Sequence, residues 1–236
     1  MPLVSRRAVL RDAAGFGAAV LLAGCVSSTE NRPAAKSPVA AVYSPPVFGE
    51  PNYALMYAPI TTEPFPVNGI DLTKIDHAFL RRDVDYQTDA PINSVVVDPQ
   101  AHYLYYITSP GRAVRYGVGV GKEGFSWSGI ATINSKQEWP DWYPPAEMIA
   151  RRPDIQEQLT DLQSGRGVKG GPGNPIGARG MYLWQNGKDT LFRIHGTIEP
   201  YSIGKSVSSG CIRMINQDAI DLYDRVPVGT RVVVLS

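Results

Sequence analysis

The 236-residue sequence predicts a mostly β fold, a sandwich or barrel with one or two short helices. Three observations point there. Gly (23) and Pro (20) make up about 18% of the chain, against a usual share of roughly 12%, which favours turns and short strands over long helices. From about residue 91 onward, short apolar runs alternate with turn residues. Only brief segments carry a helical apolar spacing.

The elements follow in order. Ser94–Val97, a turn at Asp98-Pro99 and His102–Ile107 read as a hairpin. Ser109-Pro110-Gly111 turns into a strand over Ala113–Val120, and Gly129–Ile133 is a further strand. Pro153–Leu162 reads as a helix, whereas Gly165–Gly180 holds seven glycines and reads as a loop. Gly180–Trp184, the turn Gln185-Asn186-Gly187 and Thr190–Ile194 form a second hairpin. Asn216 reads as the N-cap of a helix to Arg225, with Ala219, Leu222, Tyr223 and Val226 on one face. Pro227-Val228-Gly229 turns into a last strand, Thr230–Leu235. No internal repeat is visible.

Upstream of residue 91 the texture differs. Residues 1–24 carry a basic start (Ser5-Arg6-Arg7) and an uncharged stretch, Ala13–Gly24, that ends in small residues. These are the features of an export signal, and the apolar run is far short of the ~20 residues that a membrane span needs. Its end, Leu22-Ala23-Gly24-Cys25, resembles a bacterial lipobox, which implies cleavage before Cys25 and lipid on its thiol. The paired arginines resemble a twin-arginine signal. Residues 25–52 are rich in Pro, Ala and Ser and read as a semi-extended tether. Residues 53–90 read as an extension packed on the main domain. In it Leu72, Ile75 and Phe79 follow Asp71 at helical spacing and predict a short helix.

Composition excludes several function classes. Lys+Arg 23 against Asp+Glu 22 leaves a net charge of +1, so no charge excess argues for a nucleic-acid partner. Two cysteines, Cys25 and Cys211, cannot form a disulfide-dense scaffold or a four-thiolate zinc site. His77, His102 and His195 have no metal-ligand spacing, and no cofactor is expected. Gly119-Val120-Gly121-Lys122-Glu123-Gly124 fits G-x-G-x-x-G, but Phe125-Ser126-Trp127-Ser128-Gly129 opens no helix, so a glycine-rich strand and turn explains it better than a dinucleotide site.

The chemistry concentrates at 195–213. His195-Gly196-Thr197 follows an apolar strand, and sixteen residues beyond His195 lies Cys211 within Ser208-Ser209-Gly210-Cys211-Ile212-Arg213. A lone thiol of this kind is either a buried structural cysteine or a nucleophile. A nucleophile needs a base or a positive field to form the thiolate. It also needs backbone N–H donors for the anionic intermediate, for which Gly210 leaves room. Arg213 has the fork geometry that holds a carboxylate. From the residues alone both readings stand.

His195-Gly196-Thr197, Ser202-Ile203-Gly204 and Ser208-Ser209-Gly210-Cys211-Ile212-Arg213-Met214, followed by Asn216 and Asp218, resemble the signature of the YkuD-type L,D-transpeptidases, nearest the ErfK/YbiS/YcfS/YnhG group. Tyr116–Gly121 and Asn174–Arg179 resemble it too, and the likeness covers roughly 91–236. It implies a small, sandwich-like catalytic domain acting on peptidoglycan peptide stems. Cys211 would form a thioester with release of D-alanine, and a second stem's amine would resolve it into a 3→3 cross-link. His195 would act as base and then acid, with the Gly196 carbonyl orienting its ring. Gly210 and Cys211 N–H groups would form the oxyanion hole, and Arg213, Ser208 and Tyr201 would contact substrate. Tyr201 with Trp139, Trp142 and Tyr143 either lines a groove for sugar or stem or simply packs. Many members carry His before the Gly-Cys pair, where this chain has Ser209.

The implied setting is the periplasm, with a membrane anchor through Cys25. Two other readings share the residues. Water or a protein lysine as acceptor gives an L,D-carboxypeptidase, an amidase or a lipoprotein-to-peptidoglycan attachment enzyme. A non-catalytic wall-binding module is the rival of another class.

Overall fold

A computed structural model describes residues 51–122, 127–151 and 153–236. The export signal, Cys25 and the tether up to residue 50 lie outside the described residues. Within 53–90 the chain makes a single turn of helix, α1 (Tyr53–Met56), then two 3-10 turns, then strand β1 (Arg82–Asp85). The helix expected across Leu72–Phe79 is therefore two separate turns, Leu72–Lys74 and His77–Phe79. The cause is local. Asp71 and Asp76 each accept the N–H two residues on, and Ile75 between them is extended, so two competing caps break what would have been one helix.

The first hairpin is β2 (Val95–Asp98) and β3 (Tyr103–Ser109), and it continues into β4 (Arg112–Gly117) and the short β5 (Val120–Gly121). Strand β6 (Gly129–Glu138) runs longer than its apolar start indicated. Helix α2 (Ala146–Arg151) follows. Pro153–Leu162, expected as one helix, is a 3-10 segment over Pro153–Gln158 and then a strand, β7 (Thr160–Leu162), which pairs with β8 (Gly165–Gly167). Pairing with β8 overrides the local helical spacing. The second hairpin is β9 (Arg179–Gln185) and β10 (Lys188–His195). Asn186 and Gly187 both sit at positive φ, as a two-residue hairpin turn of matching twist requires. Then come β11 (Ser206–Ser208), β12 (Ile212–Arg213), α3 (Asn216–Arg225) and β13 (Arg231–Val234).

Nine strands form one mixed sheet in the order β1-β4-β3-β2-β13-β6-β9-β10-β12. Its two ends come together. Gly119, just past β4, exchanges both backbone hydrogen bonds with Arg213 of β12 (2.7 and 2.9 Å), and β5 pairs with β11. The sheet thus curls on itself around one core, the barrel-like form of the expected fold class. Alternate residues of the strands, Val95, Leu104, Tyr116, Ile133, Leu183, Ile194 and Val232 among them, meet Leu222 and Ala219 of α3 in a single buried cluster.

Residues 49–236 form one compact unit. Tyr57, Ile75 and Leu80 from the 53–90 segment bury themselves with Ile203 and Ile215, the residues that bracket the cysteine-bearing loop. At Gly204 (φ +80) a Cβ would strike the Phe79 ring, so the segment before β1 supports the loop between β10 and β12.

Candidate active site

Strand pairing puts the histidine and the cysteine at the same edge of the sheet. β10 and β12 run parallel, with Ile194 opposite Ile212 and His195 opposite Arg213. Ile194 and Ile212 both point into the core. Strand alternation then puts Arg193 and His195 on the other face, together with Cys211 and Arg213. Sixteen residues of separation in the chain collapse to neighbouring strands.

His195 is buried, and its Nδ1 lies 2.5 Å from the Gly196 carbonyl oxygen. A carbonyl only accepts, so Nδ1 carries the hydrogen and Nε2 keeps its lone pair. Burial pushes the imidazole pKa down to about 4, against the pull of the Gly196 carbonyl. At neutral pH the ring is a neutral base.

Asn216 fixes this geometry. Its Oδ1 accepts from Ala178 N–H and its Nδ2 donates to Thr197 O, both at 3.0 Å. A Cβ at Gly196 or at Gly177 (φ +70) would collide with that amide, so the motif's glycines are spaces for the Asn216 side chain. The N-cap position of α3 is Ile215, with no side-chain cap. Asn216 is the first helical residue and braces the histidine segment, where it was expected to cap. Asn174, fully buried, does similar work next door, donating to the carbonyls of Pro140, Val168 and Lys169 and accepting from Ile176 N–H. The Asn216 role has no local sequence signal, because its partners lie 19 and 38 residues away.

Ser208 organises the turn before the cysteine. Its hydroxyl donates to Cys211 O (2.6 Å) and accepts from Gly210 N–H (3.1 Å). Ser208, expected to contact substrate, is buried, and its hydroxyl is taken up inside the turn. The Gly210 N–H, expected in the oxyanion hole, is engaged by the same hydroxyl. Gly210 sits at φ +120, a conformation that a side chain would strain.

Cys211 is half-buried and a free thiol. Burial pushes the thiol pKa up, while the Arg193 N–H and the charges of Arg193 and Arg213 pull it down. Sγ makes a long contact of 4.0 Å to the Leu191 carbonyl. Among the described residues no hydrogen bond joins Sγ to the His195 ring.

Arg213 pairs with Glu199 at 2.6 Å, so its guanidinium already holds a carboxylate. Tyr201 is exposed on the 3-10 turn Pro200–Ser202. It lines a cleft of about 320 Å³ together with Trp139, Thr197 and Gln217. Trp142 and Tyr143 are not in that cleft; the Trp142 backbone pairs with Val168 and the Tyr143 hydroxyl accepts from Ser164 N–H. Among the described residues no group of three or more His, Cys, Asp or Glu side chains is placed to hold a metal ion. Gly119 and Gly121 lie in strand pairings with β12 and β11, and among the described residues the next element after them is strand β6.

The profile of one protein family, the L,D-transpeptidase catalytic domain named YkuD, matches residues 92–234. The probable L,D-transpeptidase ErfK/SrfK of Escherichia coli is 34% identical over 62% of this chain and 45% of its own length. The probable L,D-transpeptidase YbiS of the same organism is 32% identical over 58% of this chain and 42% of its own. The chain thus spans less than half the length of these curated relatives. A crystal structure from Brucella melitensis, described as a probable carnitine operon oxidoreductase, is 49% identical over 68% of this chain and 96% of that one, with a TM-score of 0.46. The family match runs from the strand that begins the first hairpin to the last strand of the sheet and takes in both His195 and Cys211: the chain belongs to the YkuD family of L,D-transpeptidase catalytic domains.

Proposed function

We propose that the protein is an exported L,D-transpeptidase that cross-links peptidoglycan stems through a thioester on Cys211. The observation that supports this reading is the parallel pairing of β10 with β12, from which strand alternation puts His195 and Cys211 on one face, with the Gly196 carbonyl holding the imidazole in one tautomer. With a lowered imidazole pKa and a raised thiol pKa, the resting pair is neutral, so attack is general-base catalysed rather than launched from a preformed ion pair.

In the first half-reaction the Cys211 S–H proton passes to His195 Nε2, and Sγ bonds to the carbonyl carbon of the L-centre of the third stem residue. The tetrahedral oxyanion collapses, the C–N bond to D-alanine breaks, and imidazolium returns the proton to the leaving amine. In the second half an amine of another stem loses its proton to His195 and attacks the thioester, and Cys211 leaves as the thiol. The Cys211 N–H is the oxyanion donor in this scheme, because the Gly210 N–H serves Ser208. Arg213 exchanges Glu199 for a substrate carboxylate, and Tyr201 contacts the stem. Residues 1–24 serve as signal, 25–52 as a tether with lipid on Cys25, 53–90 as a support for the active-site loop, and 91–236 as the catalytic domain.

Mass spectrometry tests the scheme. Purified protein incubated with tetrapeptide-bearing muropeptides releases D-alanine and forms 3→3 dimers, and Cys211→Ala abolishes both. Monomeric tripeptide as the sole product identifies water as the acceptor, and no D-alanine release by the wild type overturns the reading.

A further inference from the structure

Strand β10 reaches His195 only after an irregularity. Its register with β9 shifts between Asp189 and Arg193, and Leu191 within the shift sits at φ +63 with its side chain exposed. A branched apolar residue in the left-handed region is costly, and such strain persists only where the surroundings enforce it. Here they do. Asp189 Oδ1 accepts from Leu191 N–H (2.8 Å), and Thr190 Oγ1 donates to Leu183 O (2.6 Å) while accepting from Phe192 N–H (3.2 Å). The Arg193 guanidinium closes the bulge, donating to both Asp189 oxygens at 2.7 Å and to Phe192 O at 2.9 Å, with its charge 4.6 Å from the Tyr182 ring centre.

The bulge faces the sulfur. Cys211 precedes Ile212, whose partner is Ile194, so the residue opposite Cys211 is Arg193. The Leu191 carbonyl contacts Sγ, and the Arg193 peptide N–H lies beside it. We propose that Arg193 is a positioning residue for Cys211: clamped by Asp189 across the Leu191 bulge, it presents a backbone N–H and a nearby positive charge to Sγ. The Leu191 carbonyl accepts from the thiol at rest, and the Arg193 N–H donates to the thiolate once the proton has left, so one bulge serves both states. The idea rests on Cys211 being the nucleophile. The charged and titratable groups around Sγ are Arg193 and Asp189 from β10, Arg213 on its own strand, Tyr182 from β9 and His195 on the shared face.

Substitutions at Arg193 test it, read by the pH dependence of Cys211 alkylation with iodoacetamide. Arg193→Gln removes the positive charge. It should raise the midpoint by about one pH unit and slow alkylation at pH 7 about tenfold. Arg193→Lys keeps a charge that Asp189 can hold and should recover most of the loss. A midpoint that Arg193→Gln leaves unmoved, or that Arg193→Lys fails to recover, overturns the proposal. Should Arg193→Gln not fold, Arg193→Met, which keeps the apolar stem against Tyr182, takes its place with the same rise expected, and no rise overturns the proposal. The readout is independent of any acyl transfer, so a wild type that forms no cross-links would sink the proposed function and still leave this test standing.

Discussion

His195 and Asn216 have the most to say at the level of single residues. With the imidazole pKa at about 4, the neutral base persists well into the acid range, so kcat/KM should fall with a midpoint near pH 4 rather than near the ordinary ~6.5 of a solvated histidine. A pH–rate profile on a tetrapeptide stem checks this. Asn216→Ala removes both bonds that hold Gly196–Thr197 against Ala178. The Gly196 carbonyl is then free to drift from Nδ1. The expected result is a drop in kcat of roughly 10–100-fold with KM little changed, since misplacement by about 1 Å costs that much. Steady-state kinetics would show a KM effect instead if Asn216 touched substrate.

Among the elements, the chain before β1 acts as an integral support. Glu63 reaches Arg179 at the start of β9 through two bonds of 2.7 and 2.8 Å, and it also accepts from Trp139 Nε1. Arg179 is almost fully buried, so Glu63→Ala leaves an uncompensated charge. That should destabilise the fold by about 3–5 kcal/mol, measurable by urea denaturation. The contact spans 116 positions of sequence, which is why no local pattern revealed it. The strands and the two hairpins were readable because turn chemistry at Asp98-Pro99 and Asn186-Gly187 is local. The 72–79 and 153–162 segments carry a helical spacing yet form no single α-helix, for the converse reason. Asp76 capping a second turn and β8 pairing with Thr160–Leu162 are decided outside the periodicity of the apolar residues. The His195–Cys211 pair was legible only as a motif; the role of Asn216 depends on which backbone groups it meets in three dimensions.

Over the whole molecule, charge is buried beneath α3. Asp218 lies fully buried, 3.7 Å from Arg81 Nε, and accepts from the Tyr57 hydroxyl (3.1 Å). Burial lifts its pKa to about 7, against the pull of Arg81. A carboxyl raised in the folded state contributes stability that is fully present below its unfolded value near 4 and is lost as pH rises through about 7. The stability of the wild type relative to Asp218→Asn should therefore decline across that window, by a few kcal/mol at most on the order of the shift. Paired denaturation curves at pH 4, 5.5 and 7.5 measure it, and a constant difference would show that Asp218 ionises at its ordinary pH.

The parallel ladder between β10 and β12 has a consequence for how such a site tolerates change. Both strands are hydrogen-bonded in place, and the chain that links them leaves the sheet and returns to it. The spacing between His195 and Cys211 is therefore set by register rather than by the number of residues between them. Splicing extra residues in at exposed Tyr201 should leave His195 and Cys211 where they are, at the cost of the cleft wall that Tyr201 forms. A single residue inserted between Cys211 and Ile212 would turn the sulfur toward the core. The exposed turn at Tyr201 is thus the point in the excursion where length can vary while the His195–Cys211 spacing stays fixed, since Ile203 and β11 beyond it are packed in place.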